Sequence, residues 1–122
     1  MIRSLAVLLV VFLFFTACKK SSSDSTTTIE YQVITTNSSS IEINYTNAAG
    51  TKTVADANSS WTFDVVNPQK PFSASIQASS KSPFSSVTTT CTVNILVNGS
   101  TVKTATVSSN TVAVAEADYT VQ

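Results

Sequence analysis

The amino-acid sequence predicts an all-β protein, built on an antiparallel β-sandwich of about seven or eight strands. Three observations support this prediction. From Ile29 onwards, apolar residues recur at every second position, which is the period of a half-buried strand. Turn-forming residues interrupt these stretches at intervals of about 8–12 residues, as they do in sandwich domains. Thr and Val dominate the second half of the chain, and both favour the pleated backbone.

The apolar alternation locates each strand in turn. Ile41, Ile43 and Tyr45 alternate with polar residues, and the same pattern recurs from Phe72 onwards. The pattern predicts strands at about residues 29–35, 41–46, 50–55, 60–66, 71–79, 88–97 and 101–107, with an eighth near 110–116. The apolar members of these strands form the predicted core: Tyr31, Val33, Ile41, Ile43, Tyr45, Trp61, Phe63, Val65, Phe72, Ile76, Cys91, Val93, Ile95, Val97 and Val102.

Asn98 and Gly99 give the clearest local signal, a two-residue turn between strands. The Asn-Gly dipeptide tolerates a positive φ at both central positions of a type I′ turn, which joins the strands of a hairpin. Counting outwards from the turn pairs Val97 with Ser100, Leu96 with Thr101, Ile95 with Val102, Val93 with Thr104, and Cys91 with Thr106. In this register Asn94 and Lys103 lie opposite each other on the solvent face.

The beginning of the chain predicts a targeting sequence that takes no part in the fold. Residues 5–15 are an unbroken run of eleven apolar side chains. A membrane-spanning helix needs about 20 apolar residues, whereas the apolar part of a signal peptide has about 7–15. Residues 1–17 are therefore interpreted as a signal peptide.

Cys18 follows Thr16 and Ala17 directly after this run, and the arrangement resembles the lipobox of bacterial lipoproteins. The resemblance implies cleavage after Ala17 and two or three acyl chains on Cys18, which suffice for stable membrane anchoring. An ordinary secretory signal with an incidental cysteine is the alternative.

The residues after the cysteine bear on the location of the anchored protein. The Cys-Lys-Lys-Ser sequence that begins at Cys18 resembles lipoproteins of Bacteroidota. By the same resemblance, Lys19 in place of Asp implies delivery to the outer membrane. The absence of an acidic run after Cys18 implies the periplasmic face of that membrane, with the cell surface as the alternative.

A spacer separates the predicted anchor from the predicted sandwich. Residues 19–28 contain no apolar side chain, so we expect them to form a disordered Ser/Thr-rich tether. Flexible chain of this length spans about 15–20 Å. The predicted organisation is therefore a signal peptide at 1–17, the lipidated cysteine and tether at 18–28, and a β-sandwich at 29–122.

The composition excludes several classes of function. The chain has no His, so Ser-His-Asp triads, Cys-His pairs and His-ligated metal sites are impossible. The formal net charge is zero, which argues against a nucleic-acid partner. Glu116 and Asp118 share one strand face, but two carboxylates are too few for a Ca²⁺ site. We predict that the protein is not an enzyme and needs no cofactor or metal.

Five stretches of the chain, taken in order, carry a family resemblance. They are residues 31–33, 41–50, 61–63, 75–78 and 91–99, with their Tyr, Trp and Cys positions. Together they resemble the MmpS family, which implies an immunoglobulin-like sandwich and an accessory role beside RND-type exporters of lipids and siderophores. The family has a second Cys near its C-terminus, expected to pair with the one that matches Cys91. Here residues 112–117 read Val-Ala-Val-Ala-Glu-Ala, and a Cys18–Cys91 bridge is the alternative if Cys18 is not lipidated.

Three side chains allow a functional and a packing interpretation. Cys91 lies on the inward face, where a small core residue is favoured over a reactive thiol. Tyr45 and Trp61 could form a carbohydrate platform, but the alternation favours the core.

The predicted function is a non-catalytic envelope protein, attached to the membrane through its lipid, that binds a protein partner. The alternative is a surface-exposed adhesive or structural module that binds glycan or protein.

Overall fold

The structure is a computed structural model, and it describes residues 26–122. The predicted signal peptide (1–17), the predicted lipidation site Cys18 and residues 19–25 of the tether lie outside the described residues. These assignments stay predictions. The tether was predicted to continue to residue 28, but Thr27 is buried and Thr28 begins β1, so these two residues belong to the sandwich.

Residues 26–122 form two four-stranded antiparallel sheets that face each other. The strands are β1 (Thr28–Thr36), β2 (Ser40–Thr46), β3 (Lys52–Ala57), β4 (Trp61–Val66), β5 (Phe72–Lys81), β6 (Thr89–Val97), β7 (Ser100–Ser109) and β8 (Val112–Val121). One sheet has the order β4-β1-β6-β7 and the other the order β3-β2-β5-β8. The predicted antiparallel β-sandwich is confirmed. Residues 26–122 contain no helix that could span a membrane.

The last strand is longer than the sequence predicted. It continues to Val121 and pairs with β5 along its whole length, whereas alternation predicted an end near residue 116. Its inward positions from Ala113 to Ala117 are alanines, which are buried but give a weak apolar signal. Glu116 and Asp118 occupy the exposed face between them, so the charges do not interrupt the strand.

The predicted type I′ turn forms, but the register beyond it differs. Asn98 has φ 50° and Gly99 has φ 83°, and the first two predicted pairs of the hairpin are present. A β-bulge between Ile95 and Leu96 then shifts the register by one residue. The partners become Ile95 with Lys103, Asn94 with Thr104, Val93 with Ala105, and Cys91 with Val107.

The predicted partners Val102, Thr104 and Thr106 for Ile95, Val93 and Cys91 are therefore wrong, as is the predicted Asn94–Lys103 pair. The bulge has a physical reason. Without it, two threonines of β7 would face the buried interior opposite Val93 and Cys91. With it, a smaller apolar residue, Ala105, packs against the core, and the hydroxyls of Thr92 and Thr106 meet outside at 2.9 Å.

Most of the predicted core side chains lie between the two sheets. Those that are buried are Tyr31, Val33, Ile41, Ile43, Tyr45, Val65, Phe72, Ile76, Cys91, Val93 and Ile95. Trp61, Val97 and Val102 are partly buried and pack against this cluster. Phe63 does not belong to the core, because its side chain is 37 % exposed. It lies on β4, an edge strand, where no further strand covers the ring.

Candidate functional surfaces

Two asparagines fix the point where the chain enters the sandwich. The Thr27 N–H donates to Asn67 Oδ1 at 2.9 Å, and the Asn67 N–H donates to the Thr27 carbonyl at 2.7 Å. Asn98 repeats the exchange with Thr28 at 2.9 and 2.8 Å. Both asparagines have a left-handed backbone, with φ near 50°, which Asn tolerates better than most residues. We call these four bonds the asparagine clamp.

The strand directions divide the loops between two ends of the sandwich. The proximal end holds the asparagine clamp and the loops 47–51, 67–71 and 98–99. The distal end holds the loops 37–39, 58–60, 82–88 and 110–111. The distal loops contain no charged residue, and the proximal loops contain only Lys70. The two ends therefore differ both in distance from the N-terminal segment and in charge.

The longest distal loop presents an exposed aromatic ring. Phe84 is 69 % exposed, the largest exposure among the described large hydrophobic side chains. The loop beneath it is held by hydrogen bonds, because the Ser82 hydroxyl bonds to the Phe84 carbonyl at 2.7 Å. The Val87 N–H donates to the same carbonyl at 3.0 Å, and the Ser82 N–H donates to the Thr111 carbonyl at 2.8 Å. The ring is thus displayed on an ordered turn.

A second aromatic group lies at the side of the sandwich where β3 and β4 are the edge strands. The Tyr45 ring centroid lies 5.0 Å from that of Trp61 and 4.7 Å from that of Phe63. The Trp61 and Phe63 rings are nearly parallel, with 6° between their planes. Tyr45 is buried and Trp61 partly buried, so this group is mainly the closure of the core, with Phe63 at its exposed margin.

A cavity of about 450 Å³ lies at the proximal end, between the loops 47–51 and 67–71, and is open to solvent. It lies within the size range of small-molecule sites, about 300–1,000 Å³. Its lining consists of Thr46, Ala48, Ala49, Gly50, Gln69, Lys70, Pro71, Phe72 and Ser73. None of these residues carries a carboxylate, and one carries a cation. Sequence reasoning missed this site, since its residues lie in loops without periodicity.

Cys91 is completely buried between the sheets. Its thiol donates to the Ala78 carbonyl at 3.7 Å. Burial raises the pKa of the Cys91 thiol, and the backbone of Ala115 partly opposes this effect on the pKa. A buried thiol held in its protonated form is a poor nucleophile, so the geometry favours the packing interpretation.

No carboxylate of the described residues lines the cavity, although Asp118 pairs with Ser75, two residues from Ser73 of the lining. Glu30 lies directly opposite Asp64 in neighbouring strands, and Glu42 lies directly opposite Asp56. Glu116 accepts a hydrogen bond from the Gln77 amide at 3.3 Å. Among residues 26–122, no group of three or more His, Cys, Asp or Glu side chains is arranged to hold a metal ion.

No protein-family model matches this chain, and no curated protein matches it. The resemblances to bacterial lipoproteins and to the MmpS family therefore stay predictions.

Proposed function

We propose that this protein is a non-catalytic, lipid-anchored protein of the bacterial envelope, and that its sandwich binds a partner protein through the distal end. One observation carries the proposal: the chain enters at the asparagine clamp, while the exposed ring of Phe84 lies at the opposite end. A domain held at its proximal end presents its distal loops away from the membrane. Aromatic residues, Phe among them, are enriched at protein–protein interfaces.

The charges of the loops and of the predicted tether fit this orientation, although the paired strand residues Glu30 and Asp64 also lie towards the proximal end. Lys52 begins β3 next to the loop 47–51, and Lys70 lies in the loop 67–71, so two lysines lie near the proximal end. Lys19 and Lys20 of the predicted tether add two more. Basic residues near an anionic membrane surface each contribute about 1 kcal/mol of attraction. The uncharged distal loops suit contact with a protein surface.

The more specific parts of this proposal come from the sequence. Cys18 would carry the lipid, the outer membrane would be its location, and the domain would face the periplasm. The eight-stranded sandwich supports an immunoglobulin-like domain in the broad sense of two packed antiparallel sheets. The narrower role, an accessory to an RND-type transport system, rests on the resemblance to the MmpS family alone.

A surface-exposed adhesive module is the second candidate, and one observation favours it. Phe63 is 37 % exposed and nearly parallel to Trp61, which offers a small aromatic surface for a sugar ring. Treatment of intact cells with protease separates the two candidates. Survival of the protein supports the periplasmic proposal, and its loss supports the surface module.

The anchored partner-binding proposal is tested with two variants of the full chain. Cys18→Ser should move the protein from the membrane fraction to the soluble fraction, since the acyl chains can no longer be attached. Phe84→Ser should keep the protein folded and membrane-bound but reduce its co-purification with the partner about tenfold or more. Retention of Cys18→Ser on membranes in amounts equal to the parent would contradict lipidation. Unchanged co-purification of Phe84→Ser would contradict the distal binding surface.

A further inference from the structure

The cavity at the proximal end has the chemistry of an anion site. Lys70 is the charged residue of its lining, and Thr46, Gln69 and Ser73 are the lining residues with hydroxyl or amide side chains. The lining holds no carboxylate that would repel an anion or neutralise the lysine. Phe72, which is only 4 % exposed and belongs to the core, is also part of the lining. An ammonium group with neutral hydrogen-bond donors around it is a common way to bind phosphate.

The wall of the cavity is held in shape without a ligand. Asn47 Oδ1 accepts hydrogen bonds from the Ala49 N–H at 3.0 Å, the Thr51 N–H at 3.2 Å and the Thr51 hydroxyl at 3.0 Å. The Gly50 N–H donates to the Asn47 carbonyl at 2.9 Å. Gly50 has φ +78°, which favours glycine at this point of the loop. A preformed wall lowers the ordering cost of binding.

The position of the cavity indicates which phosphate it meets. It lies at the end where the asparagine clamp fixes the chain, and the predicted tether reaches only about 15–20 Å from the anchor. The geometry points to a binding site for the phosphate group of an anionic lipid headgroup in this cavity, with Lys70 as its charged ligand. This inference rests on the proposed anchoring for its lipid source. The same chemistry would accept free phosphate or glycerol phosphate.

The test uses the lipidated full chain in maltoside micelles, which contain no phosphate. Hydrogen exchange of residues 47–51 and 69–73 is measured by mass spectrometry, with and without phosphatidylglycerol in the micelles. We expect exchange to slow about threefold or more in these segments and to stay unchanged in the distal loop 82–88. Lys70→Gln should abolish the effect. Lys81→Gln removes the same charge next to the distal end and should preserve it.

A second arm adds inorganic phosphate or glycerol phosphate to micelles without the lipid. Protection by phosphatidylglycerol alone assigns the site to headgroups, and protection by the soluble anions alone assigns it to free phosphate. No protection in either arm, or equal protection in Lys70→Gln, overturns the inference. This result is separate from a failure of the proposed function, which is scored by the membrane fractionation of Cys18→Ser and the binding of Phe84→Ser.

Discussion

Thr27 and Asn67 exchange two hydrogen bonds, although they are 40 residues apart in the sequence. The bonds join the residue that enters β1 to the residue that follows β4. Asn98, after β6, makes the same exchange with Thr28 from the other side. Thr27 and Thr28, near the start of the described residues, are thus fixed between two strands. In an anchored protein this clamp would connect the tether to the sheet, so that the sandwich keeps one end towards the membrane.

The asparagine clamp predicts a graded response to substitution. Asn67→Gly keeps the left-handed backbone and loses only the side-chain bond, so we expect the free energy of unfolding to fall by about 1 kcal/mol. Asn67→Ala adds the strain of a Cβ in that conformation, about 1 kcal/mol more. Urea denaturation measures both losses. The control is Asn37→Gly at the distal end, where Asn also has a positive φ; it should leave the hydrogen exchange of the Thr27 N–H unchanged. Equal stability of Asn67→Gly and Asn67→Ala would contradict the prediction.

A buried pair of hydroxyls links the two sheets. The oxygens of Ser80 on β5 and Thr89 on β6 lie 2.6 Å apart, and neither residue is exposed. Thr89 donates its single hydroxyl hydrogen to the Thr36 carbonyl at 3.0 Å, so Ser80 is the donor to Thr89. Thr89→Val would leave the Ser80 hydroxyl and the Thr36 carbonyl without this partner, and should lower the free energy of unfolding by about 3 kcal/mol.

The matching variant Ser80→Ala should cost only about 1 kcal/mol, because Thr89 keeps its bond to Thr36. The double variant should then lose about 1 kcal/mol less free energy of unfolding than the sum of the losses of the two single variants. The reason is that Ser80→Ala removes the hydroxyl that Thr89→Val would leave unpaired. A double-mutant cycle in urea measures this coupling, and strict additivity would argue against the hydroxyl pair.

Alternation was a good guide where large apolar and polar residues take turns. Ile43 and Ile76 are completely buried for this reason. It was a poor guide where inward residues are small, as in the alanines of β8, and where a bulge changes the face of β7. Only the residue type of Asn67 and Asn98 hints at the asparagine clamp in the sequence, because Asn tolerates the left-handed backbone. No local pattern indicates that residues 27 and 67 meet, since strand pairing across the sequence decides it.

The candidate surfaces were harder to predict than the core for a physical reason. Phe84 and Lys70 lie in loops, where no period separates an inward from an outward side chain. The prediction for Phe63 failed because alternation assigns a face of the strand but cannot tell an edge strand from a central one. The sequence alone does place Cys18 at the end of an apolar run, because that signal is local.

Tyr31 predicts a dependence of stability on alkaline pH. Its hydroxyl donates to the Thr46 carbonyl at 2.8 Å, and burial raises the pKa of Tyr31 to about 12 from an ordinary value of 10.0. The folded state therefore holds this proton more tightly than the unfolded state. The contribution of protonated Tyr31 to the free energy of unfolding is complete below about pH 10 and is lost as the pH rises towards 12.

Tyr31→Phe should remove this part of the pH dependence and lower stability at neutral pH by about 1–2 kcal/mol, since the Thr46 carbonyl loses its donor. The measurement is the urea midpoint of both proteins between pH 8 and 12. Cys91, whose thiol pKa is also raised by burial, is present in both proteins, so its effect cancels in the comparison. Identical pH profiles would contradict the prediction.

Cys91 offers a direct test of the resemblance to the MmpS family. Its thiol donates to the Ala78 carbonyl. Burial raises the pKa of the thiol, and a hydrogen bond with the backbone of Ala115 partly opposes this effect on the pKa. These two alanines are paired across β5 and β8. Ala115 lies in the stretch where the family has its second Cys. Ala115→Cys should therefore form a disulfide with Cys91 under oxidising conditions and stabilise the domain by about 3 kcal/mol. Ala117→Cys, one inward position further along β8, should form a disulfide with Cys91 poorly. Equal disulfide yields from the two variants would contradict the match between Ala115 and the second Cys of the family.

In the proposed arrangement, the distal end meets the partner while the proximal end stays at the membrane. Photo-crosslinking in intact cells distinguishes the two ends, with the reactive residue at position 84 in one strain and at position 69 in another. We predict a discrete protein adduct from position 84, none from position 69, and loss of the adduct when Cys18→Ser is added. A protein adduct from position 69 and none from position 84 would contradict the account.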